Sequence, residues 1–598
     1  MKRTFIIITA LCALSFAAKA ENVSVSQARQ LAADFFFGKR NTDTKALEVR
    51  ISLIDEPVSS GSSVIQSCPE YYIFNSSEGG FVIISGENSI LPVIAYSPDG
   101  HFEPEAVPDG FVYWLGGVSK TVLKARLEGL APTSEVASAW NMVGVSTKAL
   151  GEGGKCLWTP TWSQSAPFNG ECSGCVTGCV PTAIAEVMRY YQWPDAPEQT
   201  KIPAGSSQAE YDLTGHSYDF ASMPTSTSAM KSASNEVKAD VAGLLRDIGA
   251  AVDIEYGSSA SSAFSEYITE RMGLYFKYNK AARRLMRTMY SESEWISLLK
   301  ASIDADIPVL YDGENSYEGG HQFIVDGYDG NDFIHMNWGW GDNMNSYVAI
   351  GVNDFYQDQA ALFDFVPDKT ASSSFGNSSL YLSYLETKTT EYQGIKANGT
   401  ISKGNPFSVT IGAIGNTGPR TYSGQVKLAF QTKDGSSEAD LSSPTSFNLA
   451  LERLSMFTIS GLTIPYDIAF GDKIVIKYTY GDEWRDFPGD YLGETVTAYP
   501  AVQAAVIDLP SSCPSGSRLE LRLINAPYRS AGRCDWYITV PGASSETKIL
   551  PGASSSSLDS YDRYYYNFSA NGKYRIRVAV KDKSGIVIDS ITTSLNVE

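Results

Sequence analysis

Positive charge is scarce in this chain. Its 598 residues carry 47 Lys and Arg against 67 Asp and Glu, a formal net charge of −20. Phosphate binding needs clustered cations and no basic patch stands out, so nucleic acid is excluded as a partner. Histidine is rarer still: the chain has 4, His101, His216, His321 and His335. Any imidazole chemistry must use one of them. No segment reaches the roughly 18 uninterrupted apolar residues of a permanent membrane span. Calcium-loop patterns and internal repeats are missing too. What is plentiful is tyrosine, at 34, and glycine, at 51, which fits β-rich structure with many turns. A hydrophobic fraction of 43% excludes wholesale disorder. The length allows about four domains at roughly 150 residues each.

The N-terminus reads as an address. Lys2 and Arg3 precede an apolar run from Phe5 to Ala18, and Ala18-Lys19-Ala20 has the small-x-small form of a cleavage site. This predicts a signal peptide over 1–20 and an exported protein, secreted or held at the cell surface or in the periplasm. Leu11 stands before Cys12 where a lipoprotein signal would have a small residue. Of 8 cysteines, loss of Cys12 leaves an odd number, so at least one thiol has no intramolecular partner. Cys513 and Cys534 are near enough in sequence to pair. Cys156, Cys172, Cys175 and Cys179 cluster, but their spacing departs from the paired form of a four-thiolate zinc site. A disulfide at Cys172 or Cys175 suits an exported chain better. No cofactor or metal is expected.

Composition divides the rest. Residues 21–148 open with a helical stretch, Ser24 to Phe37, followed by strand-like runs Tyr71 to Phe74 and Gly80 to Ser85. Pro132 to Gly154 is rich in Ser, Thr and Gly and reads as an exposed connection. Residues 149–368 mix helical and strand patterns, and Lys369 to Ser379 reads as a linker. Beyond it, alternating segments recur at Pro406 to Ile414, Ser423 to Gln431, Lys473 to Tyr480, Leu519 to Ile524, Trp536 to Val540 and Lys573 to Val580. They predict two all-β sandwich modules, 369–500 and 501–598.

The densest signal is TGCVPTAIAEVMRYYQWP, residues 177 to 194. Val180, Ala183, Ile184, Val187, Met188 and Tyr191 fall on one face of an α-helix. Pro181 suits the first turn and Pro194 ends the element. Cys179 therefore starts a buried helix. There the helix dipole favours thiolate, and unpaired backbone N–H groups can face a developing oxyanion. The bland alternative is a small buried hydrophobe, which most free cysteines are.

A second signal is GGHQFIVDG (319–327) followed by FIHMNWGWG (333–341). Both runs read as strands joined by a hairpin turn. A hairpin centred on Asp329 sets His321 opposite Asn337, whose amide could fix the imidazole. Trp338 and Trp340 could shield that contact from water. His335 is the rival histidine. His321 is favoured because two glycines precede it and leave room for a substrate backbone.

These residues together resemble the streptopain-type cysteine proteases, a family that includes interpain-like enzymes. The likeness spans roughly 149 to 365 and rests on five blocks in one order: WSQSAPFNG (162–170), TGCVPTAIAEVMRYYQWP, VDIEYGSSASSA (252–263), GGHQFIVDG and NWGWG (337–341). It implies an α+β papain-like catalytic domain over 149–368, with Cys179 as nucleophile and His321 as general base and acid. It further implies Gln164 as the oxyanion-hole side chain, Asn337 as the group orienting the histidine, and Trp338 as the aromatic beside it. YYIFNSSEGGFVIISGENSILPVIAYSPDG (71–100) and the Trp114 region resemble the family's propeptide. That implies a zymogen whose α+β N-terminal prodomain, 21–148, acts as intramolecular inhibitor by displacing His321 from Cys179, with Lys148-Ala149 as the candidate cut. The implied substrates are proteins or peptides. Pro181, the Asp342-Asn343-Met344-Asn345 segment, and Cys172 with Cys175 depart from the family pattern. The rival reading is a catalytically silent surface binding or adhesion protein, with an unidentified ligand for the C-terminal modules. Acyl transfer to amines is a third.

Overall fold

The computed structural model describes all residues except 1–20, 38–50, 54–68, 105–106, 108, 144–152, 316–318, 343, 351–358, 383, 387–390, 394, 399–400, 402, 433–434, 452, 466–467, 469–471, 488–492, 497–505, 525–532, 544, 550–562 and 582–586. The signal peptide, the candidate cut at 148–149, Cys68 and the module boundary near 500 lie outside the described residues. The chain forms two compact units. The first holds 1–381 with 415–422 and 448–453, and the second holds the remainder.

The first unit opens with α1 (Val25–Phe37), β1 (Ile51–Leu53), β2 (Tyr71–Ser76), β3 (Phe81–Ser85) and β4 (Val93–Ser97). Helix α1 buries Ala28, Ala32 and Ala33, small side chains that let its backbone lie close over Tyr72, Phe74, Val82 and Ile84. The β2–β3 turn needs Gly80, which has φ +88° and whose place a Cβ would bring to 2.5 Å from the Ser97 carbonyl. Two helices follow, α2 (Asp109–Glu128) and α3 (Ser134–Met142). The second corrects the reading of 132–154 as connection throughout. Thr133 caps it by accepting from the Val136 N–H, and its Trp140 Nε1 donates to the Ile90 carbonyl at 2.8 Å. Ser and Thr, which suggested a loop, are also the residues that start helices.

Next come β5 (Lys155–Cys156), α4 (Cys179–Tyr191), β6 (Lys201–Ile202), β7 (Tyr211–Asp212), α5 (Thr227–Lys231), α6 (Asn235–Ala251) and α7 (Ile268–Tyr275). The unit's remaining elements include β8 (Arg283–Met286), α8 (Glu292–Asp304), β9 (Val309–Asn315), β10 (Gly319–Tyr328), β11 (Ile334–Asn337), β12 (Ser346–Val348) and β13 (Ala360–Phe363). One sheet runs through both halves of the unit in the order β1-β2-β3-β4-β12-β11-β10-β9-β13-β8, with β5 added beside β10. The seam is β4 against β12, where Tyr96 faces Tyr347 and Ala95 faces Val348. The architecture is α+β, with apolar clusters on both sides of the sheet. One joins Phe111, Trp114 and Val118 of α2 to Trp295, Phe323 and Trp338. The other joins Val180, Ile184, Val187 and Met188 of α4 to Leu245, Leu310 and Ile324. Each such fully buried side chain contributes about 1.5–3 kcal/mol of hydrophobic stabilisation.

The β10–β11 hairpin is real, but its register differs from the expectation. Ile324, not His321, faces Asn337. Two local features shift it. Asp329 accepts from the Asn331 and Phe333 N–H groups at 2.8 and 2.9 Å, closing the turn between Tyr328 and Ile334. Asp326 then forms a bulge, since Val325 faces Met336 while Gly327 faces His335.

From Leu380 to Val597 every described regular element is a strand. In the second unit, Asp472–Tyr480 is central to a six-stranded sheet, and separate three- and five-stranded sheets begin at Val506. The alternating segments named above fall on strands Phe407–Asn416, Tyr422–Gln431, Asp472–Tyr480, Ser517–Ile524, Arg533–Thr539 and Gly572–Lys581. Cys513 is a free thiol. Two strands separate its strand from the one carrying Cys534, roughly 14 Å at the usual strand spacing and beyond disulfide reach. Cys172 and Cys175 are unbridged as well.

Candidate active site

Helix α4 delivers Cys179 at its first turn. The N-cap, Gly178, has φ +84°, and a Cβ there would stand 2.7 Å from the Ile254 side chain. Only glycine fits both demands. Thr182 Oγ1 donates to the Gly178 carbonyl at 2.8 Å and lies 2.9 Å from Thr177 Oγ1, which fixes the turn before the cysteine. Cys179 is partly buried. Burial pushes its thiol pKa up, the backbone N–H groups of Gln322, Val180 and Cys179 itself pull it down, and Asp312 raises it. The net direction is upward. The helix terminus acts as expected from sequence, but burial outweighs it, so the thiol is protonated at neutral pH in this conformation.

The Gln322 N–H that reaches Cys179 belongs to the residue after His321, so β10 brings the histidine's backbone alongside the sulfur. His321 is buried, and its Nε2 lies 3.1 Å from the Trp338 carbonyl. A carbonyl can only accept, so Nε2 carries the proton and Nδ1 is the basic nitrogen of the neutral ring. The ring stacks on Phe323 at 6.1 Å. Phe323 in turn packs on the Trp338 indole at 4.9 Å.

Asn337 is buried and differently engaged. Its Nδ2 donates to Thr159 Oγ1 at 3.1 Å and to the Pro160 carbonyl at 2.7 Å, while its Oδ1 accepts from the Gly339 N–H at 3.2 Å. Trp338 is fully buried; its Nε1 donates to Ser346 Oγ at 3.3 Å. Gln164 is 3% exposed, and its backbone carbonyl accepts from the Thr177 N–H at 3.0 Å. That ties the Gln164 loop to the turn ahead of Cys179. The Gln164 Nε2 is buried with no hydrogen-bond partner among the described residues. An unspent buried amide donor is costly unless something transient uses it.

Glu186 was not singled out from sequence. It is completely buried on α4, two turns beyond Cys179, and its Oε1 accepts from the Trp162 N–H at 2.6 Å. Burial pushes its carboxyl pKa well up, against the Trp162 N–H and the Asn337 side chain, which pull it down. It joins α4 to the segment carrying Gln164 and to Asn337. The sequence signal was a lone carboxylate amid apolar helix positions. Asp342, a departure from the family pattern, anchors α5. It accepts from the Thr227 and Ser228 N–H groups at 2.9 and 2.7 Å and from Thr161 Oγ1 at 2.5 Å.

One group among the described residues could hold a metal: Cys156, Asp326 and His335. His335, the rival histidine, belongs to that group. Burial lowers its pKa, but Asp326 and Cys156 more than offset this and push it up to about 10.

The α2 helix reaches the same region. Phe111 packs on Trp338 with centroids 5.3 Å apart and on Trp114 at 5.5 Å. The chain from helix to site thus runs Phe111, Trp338, His321.

Residues 162–348 match the Peptidase C10 family and residues 20–122 match the Spi protease inhibitor. The thiol protease/hemagglutinin PrtT of Porphyromonas gingivalis is 26% identical over 375 residues, covering 58% of this chain and 41% of that protein. Streptopain of Streptococcus pyogenes is 28% identical over 294 residues, covering 47% of this chain and 73% of streptopain. A prointerpain A fragment from Prevotella intermedia has 22% identity and a TM-score of 0.41, covering 51% of this chain and 98% of the fragment. The match to PrtT spans less than half of that relative. The chain thus resembles a streptopain-type cysteine protease precursor, with a Spi protease inhibitor match ahead of a Peptidase C10 match.

Proposed function

From that premise, we propose that this chain is an exported cysteine endopeptidase made as a zymogen, with Cys179 as nucleophile and His321 as general base and acid on a papain-like domain. Residues 1–20 direct export, 21–148 inhibit, 149–368 catalyse, and 369–500 and 501–598 are accessory modules. The observation that most supports this is the Gln164 amide, buried and unpaired at Nε2, on a loop bonded to the turn before Cys179. That is where the oxyanion of an acyl-transfer intermediate needs a donor.

In the proposed reaction, His321 Nδ1 takes the Cys179 proton and the thiolate attacks the scissile carbonyl carbon. The oxyanion is held by the Cys179 N–H and Gln164 Nε2. The C–N bond breaks as the imidazolium gives its proton to the leaving amine, leaving a thioester. Water, deprotonated by His321, then displaces Cys179 and releases the acid. Asn337 would orient the ring once Nε2 leaves the Trp338 carbonyl, and Trp338 would keep water away. The inhibited state is the one in which Phe111 holds Trp338 and the Cys179 thiol is protonated.

The test is expression of the full chain with Cys179→Ala. The expected result is an unprocessed precursor with no cleavage of casein. Normal maturation and normal casein cleavage by that variant would overturn the assignment.

A further inference from the structure

We propose that Cys156, Asp326 and His335 form a three-ligand site for a divalent cation of the zinc class, separate from Cys179 and His321.

The sheet builds the site around one glycine. Gly327 of β10 has Cys156 of β5 opposite it on one side and His335 of β11 opposite it on the other. Residues directly opposite one another present side chains to the same face. Gly327 itself presents nothing, and a Cβ there would come within 3.0 Å of the Cys156 Sγ. Across that gap Cys156 Sγ and His335 Nδ1 approach to 3.8 Å. The third donor comes from the bulge. Regular alternation would send Asp326 to the opposite face from Gly327; as the extra residue it turns back, and its Oδ1 lies 2.5 Å from His335 Nδ1. All three donor atoms lie within 4.8 Å of one another.

The donors converge on one ring nitrogen. A proton relay of the triad kind would use both, with the carboxylate at one and the sulfur at the other. Here sulfur and carboxylate share Nδ1, the arrangement of a ligand cup. The sulfur–nitrogen distance is close to that of a tetrahedral zinc site, about 3.5 Å from bond lengths of roughly 2.3 and 2.0 Å, and the carboxylate, hydrogen-bonded to Nδ1 here, would draw back by about 0.8 Å to become a ligand. Thiolate, imidazole and carboxylate together select zinc-like ions over the oxygen-preferring magnesium and calcium. Three protein ligands leave the fourth position to water.

The supporting shell is in place. Asp326 Oδ2 accepts from the Thr159 N–H at 3.0 Å and from Thr159 Oγ1 at 2.7 Å, leaving Oδ1 aimed at the cup. The His335 ring is held edge-on between Tyr347 at 4.9 Å and Trp158 at 5.7 Å. Such outer contacts fix ligand orientation. The same Thr159 hydroxyl accepts from Asn337 Nδ2, so the cup is one hydroxyl away from the residue proposed to orient His321. The ion would pin β5, the first described strand after residue 152, to the centre of the sheet.

The experiment uses the full chain carrying Cys179→Ala, which removes autolysis and the proposed catalytic thiol as a competing cobalt ligand. The chain is stripped with chelator and titrated with Co2+. One equivalent should bind, with a sulfur-to-cobalt charge-transfer band and the visible spectrum of a four-coordinate ion. Zinc X-ray absorption on the same chain should read one sulfur among nitrogen and oxygen neighbours, a result independent of further variants. Cys156→Ser should abolish the charge-transfer band, and Thr159→Val should weaken binding about 10-fold by freeing the carboxylate. A chain that binds no cobalt stoichiometrically, a zinc shell without sulfur, or a band that survives Cys156→Ser overturns the proposal.

Discussion

Phe111 of the N-terminal half lies against Trp338 of the peptidase domain, ring centroids 5.3 Å apart. Trp338 also supplies the carbonyl that takes the His321 Nε2–H. One aromatic contact therefore links the inhibitor-like segment to the position of the imidazole. The β4–β12 seam and the Tyr96 hydroxyl on Asp329 at 2.7 Å hold the halves together elsewhere, so Phe111 can be tested without removing the whole interface.

Phe111→Ala should loosen this grip. Truncating a buried Phe typically costs about 3–5 kcal/mol, and part of that loss falls on docking. The precursor should mature at least ~10-fold faster by gel densitometry, since about 1.4 kcal/mol suffices for that factor. An unchanged maturation rate would show that Phe111 is packing and nothing more.

Gln164→Ala should lower kcat by about 10²–10³ with little change in KM, the usual result of removing one oxyanion donor. The donor carries no ground-state hydrogen bond among the described residues, so the folded precursor should lose little stability. Steady-state kinetics on a peptide substrate, with a thermal melt of the same variant, separates these effects. A KM-only defect would assign Gln164 to substrate binding.

Glu186 separates what a single sequence displays from what it hides. The helix holding Cys179 was legible because its apolar face and Gly178 are local features. The C-terminal strands were legible by alternation. Asn337 and His321 were placed on one hairpin but not in its register, because the Asp326 bulge and the Asp329 turn each shift the hairpin without disturbing its apolar pattern. Helix α3 was hidden by composition. Glu186 was hidden because its partners, the Trp162 N–H and the Asn337 side chain, come from distant segments. Only the fold shows why an acid can stand in that core.

That acid gives a prediction with a defined sign. Burial holds its carboxyl well above the ordinary value of 4.5, so the folded state keeps a proton that the unfolded chain releases. The stability it contributes is complete below the unfolded pKa and is lost as pH rises toward the folded one. Glu186→Gln keeps the acceptor for Trp162 without the titration. Its stability relative to the parent should rise as pH increases above 4.5. Glu186→Ala also lacks the titration but leaves a buried N–H unpaired, so it should be about 1–3 kcal/mol less stable than Glu186→Gln at any pH. Urea melts of Cys179→Ala chains at several pH values would show both trends, and a flat Gln-minus-parent difference would mean Glu186 is ionised.

In the chelator-stripped chain, His335 should behave oppositely to a buried neutral histidine. Burial alone would depress it, but Asp326 at 2.5 Å and the Cys156 sulfur carry it from 6.5 to about 10. The folded state thus holds a proton that the unfolded chain loses near 6.5. The contribution is fully present below that value and declines as pH rises toward about 10. Asp326→Asn removes the charge that raises the imidazole while keeping the carbonyl that Thr159 can use. Its stability should therefore fall less steeply with pH across that window, and its His335 ring protons should titrate near or below the ordinary histidine range by NMR. If the ring of the parent chain instead titrates at or below 6.5, Asp326 and His335 do not share a proton in this way, and the pair must be held by packing against Tyr347 and Trp158.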